Sequence, residues 1–283
     1  MKKITTLVVA VMAAVSVWAY EFPGFEWSVG ADVTSAYLWR GLRLGGLAIQ
    51  PDASIGYGGL NLDVWASLCP TDYTFKEFSP ELDVTISYSI SVLTVGVTHQ
   101  YYFDGSKYFD YRKPNLADYD AGNYGKSYAG NQTEVFAKIS LGEELEKVPL
   151  NLMWATYVGG DDWKPLYENP DDEEELTGLK QAYSSYIEVS YEAALPKGFT
   201  LTPTVGMTPW ASMYNFYEDK FSVTNISLKL SWDKEITDYF SLSVYAVGML
   251  NTAGINKSNV ITSIANSYYN QRLNGCIGMG LWF

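Results

Sequence analysis

The sequence predicts an all-β protein, a transmembrane antiparallel up-and-down β-barrel of about twelve strands. Strand-length segments alternate strictly in polarity: from Asn225 to Trp232 every second residue is Ile, Leu or Trp, and the others are Asn, Ser or Lys. Aromatic residues mark the ends of these segments, and the chain carries 23 Tyr and 9 Trp. The connections alternate between short and long. Outer-membrane barrels typically have apolar residues at every second strand position, aromatic girdles at the strand ends and short turns at one end of the barrel. Residues at alternate strand positions are said to share a parity.

The N-terminus has the features of a secretory signal peptide. Lys2 and Lys3 precede an apolar stretch from Ile4 to Val17, and Ala19 precedes the expected cleavage point. This stretch is shorter than the roughly 20 residues that a spanning helix needs. We therefore expect residues 1–19 to be a signal peptide and residues 20–283 to form one outer-membrane domain in a Gram-negative bacterium.

Twelve segments satisfy the alternation. The pair Gly58-Gly59 and the dipeptide Ile90-Ser91 supply tight turns between neighbours. An even strand number places both termini at the periplasmic end. The predicted strands are Trp27 to Trp39, Leu47 to Tyr57, Leu60 to Leu68, Glu81 to Ser89, Val92 to Tyr102, Thr133 to Leu141, Leu150 to Tyr157, Tyr183 to Tyr191, Phe199 to Thr208, Ser222 to Trp232, Phe240 to Met249 and Gly275 to Phe283.

The outward parity predicts a lipid-facing surface between two aromatic belts. No charged residue interrupts its apolar run, and outer-membrane lipid is therefore an expected partner. His99 has outward parity near the extracellular end of its strand, where we expect an interfacial residue. The aromatic residues expected at the periplasmic rim are Trp27, Tyr57, Tyr88, Tyr191, Phe199, Trp232, Phe240 and Phe283.

Two long loops carry patterns that suggest ligands. The loop from Phe103 to Gln132 is rich in Tyr and Asp, which suits sugar or nucleoside rings, but such loops also fold over barrel mouths. The run Asp171 to Glu175 offers hard oxygen ligands for divalent cations, but it lacks the spacing of a calcium loop. The sequence favours a loop that folds on itself over the barrel mouth in the first case and a solvated acidic loop in the second.

Two segments carry a resemblance to a known family. The segment VTSAYLWRG, from Val33 to Gly41, and the segment DVWAS, from Asp63 to Ser67, resemble the opening of the TorF-type family of outer-membrane porins. The resemblance covers about the first three strands, and it implies a small porin-like barrel without catalytic residues. The last strand, which ends in Phe283, is similar to the C-terminal signal read by the barrel assembly machinery, an expected partner.

Inward parity predicts the residues that line the lumen. Their excess of carboxylates would favour cations or hydroxyl-rich neutral solutes in an open path. In the alternative they pair across a largely filled interior, because about eight strands fill completely and 16 to 18 leave a wide channel. The candidates are Asp32, Arg40, Asp52, Asp63, Glu81, Asp83, Glu134, Lys138, Glu188 and Lys229. Arg40 is expected near the extracellular mouth, either facing these carboxylates or tied to one of them.

Composition excludes several classes of function. A net charge of −13 repels nucleic acid. A single His and two Cys supply neither a metal cluster nor a nucleophile with its base, so we predict no enzyme, cofactor or metal site. The sequence predicts a porin-like channel for passive or weakly selective passage of small polar solutes, with a possible preference for cations. The alternatives are a non-conducting barrel whose loops bind a ligand and a soluble periplasmic β-sandwich.

Overall fold

The computed structural model describes residues 24–69, 79–103, 106–120, 130–143, 148–168, 175–237, 240–253 and 273–283. The predicted signal peptide and residues 171–174 of the acidic run lie outside this part of the chain. The strands are β1 Phe25–Thr34, β2 Tyr37–Trp39, β3 Leu42–Gly45, β4 Ala48–Tyr57, β5 Leu60–Cys69, β6 Ser79–Ile90, β7 Leu93–Tyr102, β8 Gln132–Ser140, β9 Leu150–Gly160, β10 Trp163–Tyr167, β11 Leu176–Gln181, β12 Ser185–Tyr191, β13 Ala193–Leu195, β14 Phe199–Thr208, β15 Ser222–Thr237, β16 Phe240–Leu250 and β17 Leu273–Trp282.

Twelve of these strands form a closed antiparallel barrel, which confirms the predicted fold. Their order around the ring is β1, β4, β5, β6, β7, β8, β9, β12, β14, β15, β16 and β17, and β17 pairs back onto β1. Closure gives each of these twelve strands a paired neighbour on both sides. The other closing seam joins β12 to β14, with Ile187 opposite Met207 and Ser190 opposite Thr204.

The period-two pattern explains why each strand shows the same face outward. Residues of the predicted lipid-facing parity are exposed in row after row, as Leu62, Ile86, Val97 and Leu228 illustrate. At the end of the barrel with the short turns, exposed aromatic side chains include Tyr57, Tyr88, Tyr191, Phe199 and Phe283. We call this the turn end and the opposite end the loop end.

The first predicted strand is too long. It ends at Thr34 rather than at Trp39, because the chain bends at Ser35 and Ala36 and then forms a separate hairpin from β2 and β3. The apolar alternation continues through Tyr37 and Trp39, so polarity alone could not show this break. A second short hairpin, β10 with β11, lies within a segment that the sequence predicts as a plain loop.

In the part of the chain that the structure describes, helical structure is confined to single turns. They are α1, Leu116–Asp120, and the 3₁₀ turns Leu141–Glu143, Pro196–Gly198 and Met213–Asn215. Within the described ranges, no helix has the length and apolar character to cross a membrane.

Candidate functional site: the barrel lumen

A hairpin from the loop end crosses the lumen. We call residues 37–45, which comprise β2, β3 and their turn, the lumen hairpin. Leu42 on this hairpin packs with Tyr157 on β9, and β9 is the sixth strand from β1 in either direction around the ring of twelve. The hairpin therefore reaches from the end of β1 to the opposite wall. The connection that the predicted strands leave between Trp39 and Leu47, expected at the extracellular mouth, is instead part of this inward element.

The turn of the hairpin fits closely against the wall. Arg40 and Gly41 both have positive φ angles, 46° and 90°, as a two-residue turn between antiparallel strands requires. A Cβ atom on Gly41 would lie 1.9 Å from the carbonyl oxygen of Thr224 on β15. The Gly41 carbonyl accepts a hydrogen bond of 3.2 Å from the Asn251 side chain. Glycine is therefore needed at this position for both conformation and space.

Arg40 and Glu134 form a buried ion pair across the lumen. Both terminal guanidinium nitrogens donate to the Glu134 carboxylate, and Arg40 Nη2 lies 2.8 Å from Oε1. Arg40 Nη1 also donates to the Tyr214 hydroxyl at 2.7 Å. The guanidinium carbon lies 4.7 Å from the ring centre of Trp39 and 5.0 Å from that of Tyr186. Of the two expectations for Arg40, the structure shows the residue tied to one carboxylate.

Aromatic side chains fill the lumen on the far side of the hairpin. Leu42, Tyr157, Tyr186 and Tyr214 form one buried cluster, and we call this region the filled side. The hydroxyls find partners: Tyr157 donates to Gln100 at 2.6 Å, and Tyr186 donates to Glu188 at 2.8 Å. Tyr214 comes from the loop after β14, and burial raises the pKa of its phenol above the ordinary range. It therefore stays neutral and accepts the hydrogen bond from Arg40.

An open cavity remains on the near side, between the hairpin and strands β4 to β8. Its volume is about 230 Å³. We call it the acidic cavity. Its lining residues are Trp39, Arg40, Asp52, Asp63, Trp65, Asp83, Thr85, Thr98, Gln100 and Glu134.

The strand register builds the wall of the acidic cavity from two neighbouring rows. One row runs across four strands, with Asp52 opposite Trp65, Trp65 opposite Asp83 and Asp83 opposite Gln100. The next row runs from Asp63 through Thr85 and Thr98 to Glu134. Residues two apart on a strand share a face. Correct parity and register therefore place these carboxylates together although they lie far apart in sequence.

Three aspartates leave the cavity with an acidic balance. Among the described residues, the ion pairs of 4.0 Å or less do not include Asp52, Asp63 or Asp83. Gln100 donates to Oδ2 of Asp83 at 3.3 Å, and Oδ1 of Asp83 is buried without a hydrogen-bond partner. The cation of Arg40 is already paired with Glu134. The charged groups of the lining without a cationic partner are therefore carboxylates, and they stand beside the hydroxyls of Thr85 and Thr98 and the Gln100 amide.

The other predicted lumen residues lie apart from this cavity. Asp32 contacts the Tyr245 hydroxyl and lies near Lys229, whose Nζ is 4.9 Å from the Tyr245 ring centre. Gly280 makes room there, because a Cβ atom on it would lie 2.0 Å from Asp32 Oδ1. Glu188 belongs to the filled side. Glu81 is buried beside Tyr37 and Tyr102, and Lys138 is exposed on β8 near the turn end.

Sequence reasoning missed the groups that fill the lumen. Leu42 and Tyr214 fall in segments predicted as loops, yet Leu42 is 2% exposed and Tyr214 is fully buried. The available signal was composition, since Leu42 and Leu44 are apolar for a solvated turn. Trp65 has inward parity, and only the cross-strand register shows that it stands between Asp52 and Asp83.

No three His, Cys, Asp or Glu side chains within the described ranges come together as a metal site. The acidic run from Asp171 lies almost wholly outside those ranges, so its expected character stays a prediction. His99 contacts Thr133 and Tyr111. The prediction that the chain has no catalytic residues also stays a prediction.

Comparisons with known proteins give only distant structural likenesses. No protein-family model matches the chain, and no curated protein matches it significantly. The KdgM porin aligns over 90% of this chain and 98% of its own, with 8% identity and a TM-score of 0.42. The NanC porin aligns over 91% and 99%, with 12% identity and a TM-score of 0.42. An outer membrane channel from Pseudomonas putida F1 aligns over 92% and 96%, with 11% identity and a TM-score of 0.43. These scores are low, and the fold assignment rests on the strand register.

Proposed function

We propose that this protein is an outer-membrane channel through which small polar solutes pass passively or with weak selectivity, with a preference for cations. The observation that carries the proposal is the acidic cavity beside the lumen hairpin. A barrel with a purely structural lumen would gain nothing from grouping the half-buried Asp52, Asp63 and Asp83 around open space, because partial desolvation of each carboxylate costs free energy.

The dimensions of the cavity support a narrow path. A water molecule in the liquid takes about 30 Å³, so the cavity has room for several waters or a partly hydrated ion. Carboxylates favour cations over anions in a pore. The Thr85 and Thr98 hydroxyls and the Gln100 amide provide hydrogen bonds for neutral polar solutes. The lumen hairpin narrows the path, which fits the passage of small solutes rather than a wide pore.

The resemblance to TorF-type porins fits this arrangement. Its first segment, Val33 to Gly41, contains β2 and the turn of the lumen hairpin, and its second segment, Asp63 to Ser67, supplies two residues of the cavity wall. We propose membership of that family on these segments. We also propose export with cleavage near Ala19 and assembly through the last strand, which ends beside Phe283.

The test is single-channel recording of the refolded mature chain in a planar bilayer under a salt gradient. The proposal predicts discrete current steps and a reversal potential of the sign for cation flow. Steps without ion preference would remove the cation claim and leave the channel. A folded, heat-modifiable barrel that stays silent in repeated insertions would contradict the channel itself.

One observation favours the alternative of a non-conducting barrel with ligand-binding loops. The filled side shows that this chain can pack its own lumen with Leu42 and three buried tyrosines. If the acidic cavity is closed above and below, the barrel does not conduct. Silent bilayers together with solute binding to the intact protein would support this second function.

A further inference from the structure

Residues 106–111, which follow β7, lie against the outer wall of the barrel. His99 continues the outward parity of Leu93, Val95 and Val97, all of which are exposed. Its ring is nevertheless only 4% exposed, because the following segment folds back onto it. The ring centre of Phe109 lies 4.2 Å from that of His99, and Tyr108 and Tyr111 lie at 4.6 Å and 5.9 Å. We call residues 106–111 the wall cover.

Hydrogen bonds hold the wall cover in place. The Tyr111 hydroxyl lies 2.6 Å from the hydroxyl of Thr133, which stands opposite His99 on β8. His99 Nδ1 lies 2.9 Å from that same Thr133 oxygen. Buried Asn131 donates to the Lys107 carbonyl at 2.8 Å, and the Tyr101 hydroxyl donates to the Ser106 carbonyl at 3.0 Å. The segment is therefore fixed to the outside of β7 and β8.

The depth of His99 identifies what surrounds this cover. His99 is six residues from Leu93, the first residue of β7 at the turn end. With a rise of about 3.4 Å per residue and a tilt of about 40°, six residues climb about 16 Å. The apolar band of an outer-membrane barrel is about 25 Å tall. The outward imidazole and the Thr133 hydroxyl therefore lie at hydrocarbon depth, where unshielded polar groups are costly.

We propose that the wall cover is embedded in the membrane leaflet at the loop end. There it shields the His99 imidazole and the Thr133 hydroxyl from lipid, and its own exposed side chains contact the lipid chains. Phe109 is 60% exposed, and its ring packs on His99, which shares the outward parity of the exposed Val97. Lys107, within the cover, and Lys113, two residues after it, are both exposed. Long cationic side chains at such a position reach lipid phosphates. The proposal is independent of conduction through the lumen.

The depth of Phe109 is measured with a nitroxide spin label. Phe109→Cys is made in a Cys69→Ala, Cys276→Ala background, labelled and refolded into phosphatidylcholine vesicles. Collisions with oxygen, which dissolves in hydrocarbon, are compared with collisions with a water-soluble nickel chelate. Val97→Cys is the lipid-facing control, and Glu168→Cys, on an exposed loop-end residue, is the aqueous control. We expect several-fold fewer nickel collisions at residue 109 than at 168, and an oxygen preference like that at 97.

Nickel access at residue 109 equal to that at 168 would overturn the proposal and return the tyrosine-rich segment to the aqueous phase, where solute binding becomes the next test. A second measurement covers the case in which the label disturbs the fold. Replacing Tyr108, Phe109 and Tyr111 by Ala should lower barrel stability in vesicles much more with His99 present than in a His99→Val variant, whose wall needs no shield. Equal losses in both backgrounds would also overturn it.

Discussion

The two sides of the lumen differ in chemistry although the same twelve-strand ring encloses them. On the filled side, Leu42 packs with tyrosines from three different segments, and each polar atom that the packing buries on Tyr157 and Tyr186 has a partner. On the near side, three aspartates border about 230 Å³ of open space. The Arg40–Glu134 pair lies at the boundary between them. A barrel of intermediate size can therefore have one part of its lumen packed like a protein core and another part open to solutes. The lumen hairpin separates the two parts.

The largest effect is expected from removing the lumen hairpin. Replacing residues 37–45 by Gly-Ser-Gly should raise single-channel conductance several-fold, because the element that crosses the lumen is gone. The same replacement of residues 164–180 is the matched control, since none of the residues described in that loop-end hairpin lines the acidic cavity. Unchanged conductance in the first variant would contradict the claim that the lumen hairpin divides the lumen into a filled side and an open side.

Arg40→Ala should have the next largest effect. Removing one partner of a buried ion pair costs about 3–5 kcal/mol, because the other charge is left without compensation. Denaturant unfolding in lipid vesicles would show this loss, and reversal potentials would show stronger cation preference as Glu134 joins the free carboxylates. Lys164→Ala is the control, since the carboxylate of its partner Asp219 is 81% exposed. If a folded Arg40→Ala barrel kept the wild-type ion selectivity, the Arg40–Glu134 pair would contribute to stability and not to selectivity.

Leu42→Ala sharpens the description of the filled side. Truncating a buried Leu leaves a cavity and costs about 2–5 kcal/mol. We expect a lower denaturant midpoint with little change in ion preference, because the acidic cavity keeps its lining. Leu228→Ala, on a lipid-facing and exposed residue, should cost much less. Equal losses for the two variants would mean that Leu42 does not pack as described.

Asp52→Asn, Asp63→Asn and Asp83→Asn combined should change selectivity with a smaller effect on stability. The amides keep the size of the side chains and remove the formal charges, so the reversal potential under a salt gradient should move towards zero. Glu188→Gln is the matched control on the filled side and should leave it unchanged. An equal shift of the reversal potential in Glu188→Gln would show that ion selectivity does not depend on the acidic cavity in particular.

The barrel was predictable from the sequence, and the division of its lumen was not. Period-two alternation defines ten of the twelve barrel strands to within three residues at each end, because a lipid face on one parity leaves little freedom. The first strand is predicted too long, and β15 extends to Thr237, five residues beyond its predicted end at Trp232. The same parity correctly gives Asp52, Asp63, Asp83 and Glu134 one orientation. It carries no information on where a loop folds. The inward hairpin, the burial of Tyr214 and the cover over His99 depend on contacts between segments far apart in the chain.

The most direct test of the two-sided lumen is current block by a cationic thiol reagent. In a Cys69→Ala, Cys276→Ala background, Thr98→Cys places a thiol at the acidic cavity, and Asn225→Cys places one beside Tyr186 on the filled side. The account predicts a stepwise, irreversible fall in single-channel current for Thr98→Cys and an unaffected current for Asn225→Cys. Block at Asn225→Cys with none at Thr98→Cys would contradict it.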